Sequence, residues 1–257
     1  MPGKLLRSFV AIIPKKLRDP VKRILRPSDE LTAQYEILDK QVTLIYGEPR
    51  PFSTHVLGEA SLRTVRDAFN HVPRTTLLPP SQDAHPEWLL SDLDSRSIRQ
   101  LNESIEFLDC QELGNAVAAL LESEGSFILD ALNGSPFRVV NVRAWTTRPN
   151  APSIGPNAYH LDGFHAGFLK AMIYLDGLGG SAGSLEIEGN GLVTGPPGLM
   201  VIFENSKVWH RAVPGTRSER PVMELTLQRL VVPPMSQIPL VGSPMCRYPR
   251  DPLRAYS

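Results

Sequence analysis

The sequence has too few cysteines for a disulfide framework or a cysteine-based zinc site. Its 257 residues include only Cys110 and Cys246, which lie far apart and outside any C-x-x-C spacing. A small disulfide-rich secreted domain is therefore excluded. Because two isolated cysteines suit a reducing compartment, we predict a cytoplasmic protein.

Long apolar runs are also missing. No run approaches the roughly 20 apolar residues that a bilayer-spanning helix requires, and the stretch from Phe9 to Ile13 is too short for the core of a signal peptide. With 42% hydrophobic and 21% charged residues, the composition is that of a globular protein able to bury a core. We predict neither secretion nor integration into a membrane.

Net charge is zero overall but unevenly distributed. Residues 1–27 carry eight basic residues and one acidic residue, which leaves 19 basic and 26 acidic residues in the remainder, 28–257. Such an acidic remainder does not favour nucleic-acid binding. Apolar positions recur near helical spacing in residues 4–26 but are interrupted by Pro14 and Pro20. This basic amphipathic leader is expected either to touch a membrane peripherally or to pack on its own domain.

In residues 28–257 the predicted secondary structure changes from helices to strands near Gly134. Helical patterns over 61–72 and 97–123 flank a proline-rich loop over 73–88. Beyond Gly134 six segments are typical of strands separated by turns, namely Phe137–Thr147, Asn157–Asp162, Leu169–Asp176, Ser184–Glu188, Leu199–Glu204 and Val222–Leu230. Helices followed by strands predict an α+β fold, in which helices brace an antiparallel β core over about 134–232.

One short motif carries metal-binding chemistry. His160 and Asp162 stand at positions i and i+2, and such positions project from the same face of a strand. His210 follows an apolar strand and supplies a second imidazole. Two histidines and one carboxylate form a facial triad that leaves three positions open on octahedral Fe(II), whereas a structural zinc ion takes a fourth protein ligand.

A basic residue stands ten positions after His210. Arg220 begins a predicted strand, and its planar guanidinium matches a carboxylate. The alternative is a surface arginine paired with Glu219 or Glu224. Arg217, the competing cation, falls in a turn and is expected to be solvated.

A series of motifs extends this pattern over the stretch from Asn141 to Gln228. They are Ala158-Tyr159-His160-Leu161-Asp162-Gly163, Leu169-Lys170-Ala171-Met172-Ile173-Tyr174-Leu175-Asp176, Gly183-Ser184-Leu185-Glu186-Ile187, Pro197-Gly198-Leu199-Met200-Val201-Ile202-Phe203, Trp209-His210-Arg211-Ala212-Val213-Pro214 and Glu219-Arg220-Pro221. In order and spacing they resemble the phytanoyl-CoA dioxygenase-like branch of the Fe(II)/2-oxoglutarate-dependent oxygenases, over about a third of the chain.

The resemblance implies a double-stranded β-helix, which is a jelly roll of cupin type, with His210 near the end of a strand. It further implies Fe(II) as cofactor, 2-oxoglutarate as cosubstrate and O2 as oxidant. The implied metal ligands, which are also the catalytic residues, are His160, Asp162 and His210. The implied 2-oxoglutarate contacts are Arg220, with Asn141 and Tyr174 as hydrogen-bond candidates or ordinary sheet residues. The link from Leu185 to Pro197 is shorter than in many relatives.

The implied reaction hydroxylates a small-molecule, lipid-linked or glycan-type substrate and releases succinate and CO2. Relatives that halogenate carry a small residue in place of Asp162, so the carboxylate favours hydroxylation. His165 is either a pocket residue or a loop histidine, and Trp145 and Trp209 are either pocket walls or core. Arg143 and Lys170 either face an anionic substrate or belong to an exposed strand face.

Two other functional classes stay open from the sequence. One is a catalytically silent binding or scaffold protein on the same fold, and the other is a cupin metalloenzyme that does not use 2-oxoglutarate. Arg220 distinguishes the second of these from the oxygenase. The sequence gives no indication of the oligomeric state.

Overall fold

A computed structural model describes residues 29–76, 100–107, 111–162 and 165–233. The predicted leader and its membrane contact lie outside the described residues, and the division at residue 27 stays a prediction. Within these ranges no helix combines the length and apolarity needed to cross a membrane.

Three α-helices lie entirely within the described ranges. Helix α1 spans Asp29–Tyr46, α2 spans Glu59–His71 and α3 spans Gln111–Ala131. Helix α2 matches the predicted 61–72 to within two residues. The predicted helix over 97–123 is wrong as one element, because a strand interrupts it before α3 begins. There the backbone pairs with a neighbouring strand, so tertiary pairing overrides a locally helical spacing.

In the part of the chain that the structure describes, ten strands form two antiparallel sheets. Their bounds are β1 Phe52–Val56, β2 Arg74–Thr76, β3 Glu103–Phe107, β4 Phe137–Thr147, β5 Phe168–Tyr174, β6 Gly183–Ile187, β7 Gly191–Val193, β8 Leu199–Phe203, β9 His210–Pro214 and β10 Arg220–Arg229. The larger sheet has the order β1-β8-β5-β10-β4-β3-β2, and the smaller sheet has the order β7-β6-β9. Strand β3 is the one that interrupts the predicted helix.

From β4 onward the chain alternates between the two sheets. Strand β4 lies in the larger sheet, His160 bridges to β9 of the smaller sheet, and β5 returns to the larger one. Strands β6 and β7 lie in the smaller sheet, β8 in the larger, β9 in the smaller and β10 in the larger. This alternation is that of a double-stranded β-helix, so the predicted α+β fold class is confirmed.

The predicted strand over Asn157–Asp162 is wrong in its extent. A 3₁₀ turn over Gly155–Asn157 begins the segment, and only His160 forms a β-bridge. The side chain of Asn157 donates to the carbonyl of Pro152 at 2.9 Å, which stabilises the turn in place of an extended strand. The five other predicted strands agree with the structure to within two residues.

The two faces of the larger sheet pack against different parts of the fold. Its outer face packs against α2 and α3 through one continuous apolar cluster that includes Val65, Val117, Leu225 and Ile202. Its inner face meets the smaller sheet through a second cluster, which includes Leu185, Val201 and Phe203. The helices therefore support the sheet from behind and leave the space between the sheets for a site.

Candidate metal centre and cavity

A cavity of about 340 Å³ lies between the two sheets. This volume falls within the usual range for small-molecule sites. Its wall includes both histidines and the aspartate of the motif, and it also includes Arg220 and Tyr174. The described structure thus brings five of the six predicted site residues to one cavity.

His160, Asp162 and His210 converge at one end of this cavity. The distance from His160 Nε2 to Asp162 Oδ1 is 3.3 Å, and that from His210 Nε2 to Asp162 Oδ2 is 3.7 Å. One ligand atom from each residue lies within 4.8 Å of the others. The three side chains are therefore close enough to share one metal ion.

Hydrogen bonds fix how the two imidazoles face the centre. His160 Nδ1 lies 2.8 Å from the Ala158 carbonyl oxygen, and His210 Nδ1 lies 2.9 Å from the Val208 carbonyl oxygen. Because a carbonyl oxygen only accepts, each Nδ1 carries the proton and each Nε2 keeps a lone pair for a metal. The backbones of His160 and His210 also exchange two hydrogen bonds of 3.0 and 3.1 Å, which hold the two ligands in register.

The Asp162 carboxylate is held through one of its two oxygens. Asn205 Nδ2 donates to Oδ2 at 2.9 Å, and the Lys170 ammonium contacts the same oxygen. Burial alone would raise the pKa of Asp162, but the Lys170 ammonium, through its charge and its hydrogen bond, holds it well below its usual range. The carboxylate is therefore ionised, and its Oδ1 faces His160.

Lys170 is shared between two carboxylates. Its Nζ lies 3.3 Å from Glu224 Oε2 in addition to its contact with Asp162. Burial lowers the pKa of the ammonium, but the two carboxylates more than offset this and raise it. His210 differs, because burial and the nearby Lys170 charge lower its pKa to about 4. At neutral pH its imidazole is uncharged and ready to bind a metal.

Arg220 lies at the start of β10 and is only 3% exposed. Its Nη1 donates to the carbonyl oxygens of Ser184 at 3.0 Å and Val213 at 3.1 Å, while its Nε has no partner. Among the described residues no carboxylate lies within ion-pair distance of this guanidinium. Burial lowers its pKa because the cation is poorly solvated. A buried cation without an anion fits a carboxylate ligand in the cavity.

The alternative, in which Arg220 is a surface residue paired with Glu219 or Glu224, does not agree with this geometry. Glu219 is exposed, and Glu224 instead faces Lys170 and Arg143, whose Nη1 lies 3.9 Å from Glu224 Oε1. Arg217 is exposed in the turn before β10, as its position in the sequence indicated.

Tyr174 and Asn141 differ in their relation to the cavity. Tyr174 lines it and lies with its ring 5.7 Å from the Arg220 guanidinium carbon. Burial raises the pKa of Tyr174 to about 12, so it is a neutral phenol able to donate a hydrogen bond. Asn141 pairs with Thr226 of β10 and lies on the same face of β4 as Arg143. Unlike Arg143, it does not line the cavity.

The tryptophans and His165, which the sequence offered as possible pocket residues, also differ in whether they line the cavity. Trp145 lines the cavity, whereas Trp209 does not. His165 stacks on Tyr35 with ring centroids 4.5 Å apart and also lies outside the cavity wall. His210 is the first residue of β9 and pairs with Ile187, the last residue of β6.

Several polar residues at the site were not predicted. Glu224 could have been predicted from the sequence, because it is an acidic residue inside an apolar strand. It stands four residues after Arg220, and such positions lie on the same face of a strand. Asn205 and Asn157 belong to turns, and Asn102 precedes β3. Nothing in the local sequence indicates that Asn102 and Asn157 line the cavity or that Asn205 donates to Asp162.

No protein-family model and no curated protein matches the chain. Solved structures show a distant similarity. HygX from Streptomyces hygroscopicus, with nickel and 2-oxoglutarate bound, is 11% identical over 74% of this chain and 87% of its own, with a TM-score of 0.42. The α-ketoglutarate-dependent epimerase SnoN is 15% identical over 77% and 81%, with a TM-score of 0.45. A Pseudomonas putida prolyl-4-hydroxylase is 17% identical over 75% and 99%, with a TM-score of 0.40. These values are too low to transfer an activity or a substrate.

Proposed function

We propose that this chain is an Fe(II)- and 2-oxoglutarate-dependent oxygenase that hydroxylates a small-molecule, lipid-linked or glycan-type substrate. One observation carries the proposal. The same cavity contains a His-Asp-His cluster able to share a metal ion and a buried arginine for which the described residues supply no anion. A silent binding domain has no physical need for that combination.

The residues fit the two implied groups. His160 and His210 would bind iron through Nε2, and Asp162 would bind it through its carboxylate, which leaves coordination sites for an oxo acid and O2. Arg220 would bind the distal carboxylate of 2-oxoglutarate. Together the metal and the oxo acid supply the oxidising chemistry that activates O2 and yields succinate and CO2.

The chain itself contributes binding, orientation and exclusion of water. The Nδ1 hydrogen bonds orient both imidazoles, and Lys170 with Asn205 keeps the Asp162 carboxylate ionised and fixed. Tyr174 offers a neutral hydroxyl beside Arg220. The space between two apolar layers limits the access of water to the centre.

The finer assignments rest on the motifs of the sequence. The carboxylate at Asp162 favours hydroxylation over halogenation, and the order of motifs favours the phytanoyl-CoA dioxygenase-like branch. A cytoplasmic location and a peripheral membrane contact through residues 4–26 remain part of the same proposal.

Succinate release tests the function. The chain is loaded anaerobically with Fe(II) and 2-oxoglutarate, exposed to air and assayed for succinate with and without candidate substrates. We expect the wild type to form succinate and His160→Ala, Asp162→Ala and His210→Ala each to lose this activity while keeping their circular dichroism spectra. Persistent turnover in any of the three variants would show that the ligand assignment is wrong. Oxygen consumption that needs iron but not 2-oxoglutarate would instead support the cupin alternative.

A further inference from the structure

The part of the cavity beyond the metal and oxo-acid groups has its own polar wall. We propose that this part binds an uncharged substrate whose hydroxyl groups donate hydrogen bonds, with the Asn157 side-chain oxygen as an acceptor that selects for it. The inference rests on the proposed function, because it takes the triad and Arg220 as occupied by Fe(II) and 2-oxoglutarate. It adds the chemical class of the substrate.

The charges of the cavity wall are balanced. Apart from histidines, its ionisable cations and acids number three each, namely Arg143, Lys170 and Arg220 against Glu103, Asp162 and Glu224. The two positive charges of Fe(II) cancel the two negative charges of 2-oxoglutarate. The assembled site therefore has no excess charge with which to attract an ionic substrate.

The two cations that could have met an anionic substrate are already engaged. Lys170 contacts Asp162 and lies 3.3 Å from Glu224 Oε2, and the same glutamate lies 3.9 Å from Arg143 Nη1. The Arg143 guanidinium also lies 5.2 Å from the centre of the Trp145 ring. A phosphate or carboxylate on the substrate would have to displace these contacts.

Asn157 provides the specific feature. It lines the cavity and is 2% exposed, and its Nδ2 donates to Asn102 Oδ1 at 2.7 Å and to the Pro152 carbonyl at 2.9 Å. Since the Pro152 carbonyl only accepts, the orientation of the amide is fixed and its Oδ1 is left as an acceptor. That oxygen is buried and has no partner within the described residues. An unsatisfied buried acceptor is unfavourable, and a substrate hydroxyl would satisfy it.

The remaining wall suits a small carbon skeleton. Trp145 provides an aromatic surface, while Thr147 and Pro156 complete this side. Because about 340 Å³ must hold the oxo acid as well, only a small molecule, or the small end of a larger one, enters. A monosaccharide-sized polyol has the required combination of hydroxyl groups and carbon surface.

A matched series of probes tests the charge selection. The probes are glucose, glucose 6-phosphate, glucuronate and glucosamine, which are neutral, dianionic, anionic and cationic forms built on one pyranose ring. Binding is measured anaerobically by saturation-transfer NMR on the full chain loaded with zinc, a diamagnetic substitute for iron, and 2-oxoglutarate; stimulated succinate release is measured with iron. We expect glucose to bind at least tenfold more tightly than any charged member. Equal or tighter binding of a charged member, or no binding of glucose, would overturn the inference.

Three variants separate the acceptor from general damage to the loop. Asn157→Ala removes the acceptor oxygen together with the two hydrogen bonds from Nδ2, and we expect it to weaken glucose binding at least fivefold. Asn157→Asp keeps an oxygen at this position and should bind glucose more tightly than Asn157→Ala. Ser153→Ala removes only the 3.1 Å hydrogen bond from Ser153 Oγ to the Asn157 carbonyl, outside the cavity wall, and should change binding less than twofold. Equal losses in Asn157→Ala and Ser153→Ala would refute the role of Oδ1. Succinate formed without any probe reports on the proposed function separately, so its absence in the wild type and a reversed charge preference are distinct results.

Discussion

Replacing Lys170 with methionine should destabilise the fold and weaken metal binding together. The ammonium contacts Asp162 and Glu224, and its side chain is 12% exposed while that of Glu224 is 3% exposed. Methionine keeps most of the volume but leaves two carboxylates in one buried space without their shared cation. The pKa of Asp162 then rises, because Lys170 is the main group that lowers it.

Removing one partner of a buried ion pair costs about 3–5 kcal/mol. We expect a loss of that size in the free energy of unfolding of Lys170→Met. Loss of a group that supports a metal ligand typically lowers metal affinity roughly 10- to 100-fold, and we expect the same here. Urea denaturation of the metal-free chain measures the first effect, and anaerobic titration calorimetry with Fe(II) measures the second.

The double variant Lys170→Met/Glu224→Gln is the matched control. It removes one charge of each sign, so only Asp162 is left without the cation, and Asn205 still donates to it. We expect it to recover a large part of the stability that Lys170→Met loses. If Lys170→Met unfolds within about 1 kcal/mol of the wild type, the size of an exposed ion pair, and binds Fe(II) equally well, Lys170 does not support Asp162.

Three further predictions follow from single contacts. Arg220→Ala should raise the KM for 2-oxoglutarate more than tenfold and leave Fe(II) affinity, measured by calorimetry, within twofold. Burial lowers the pKa of His210 from 6.5 to about 4, so between these values only the unfolded chain takes up the proton. Stability of the metal-free chain should thus be full above pH 6.5 and fall by about 3 kcal/mol towards pH 4, and urea denaturation of His210→Gln should lack that fall. Gly183→Ala should lower the melting temperature strongly, because φ is +81° and a Cβ would overlap the Val213 carbonyl oxygen.

The sequence predicted the parts of the site that depend on local order along the chain. His210 and Arg220 follow strands or turns whose order was recognisable from the sequence. His160 and Asp162 were found by their spacing alone, although only His160 forms a β-bridge. Tyr174 was named through the resemblance of its motif to the family. Strands with an apolar core can be placed from the sequence, and so the residues at their ends can be placed as well.

The remainder depends on contacts between distant segments. Strand β3 has an apolar spacing that also suits a helix, and its pairing with β2 and β4 decides for the strand. Asn102 and Asn157 meet through a hydrogen bond across 55 positions, which no local pattern indicates. Asn141 lies on the face of β4 that points to the cavity but does not line it. Alternation along a strand shows which face a side chain is on, but not how far along the strand the cavity extends.

Anomalous diffraction from a crystal of the full chain, grown anaerobically with Fe(II), tests the central claim most directly. We expect one iron peak in the cavity, bonded to His160 Nε2, His210 Nε2 and one carboxylate oxygen of Asp162, with the other positions open to water or 2-oxoglutarate. An iron peak elsewhere, or one closed off by a fourth protein ligand, would contradict the assignment of a catalytic iron centre.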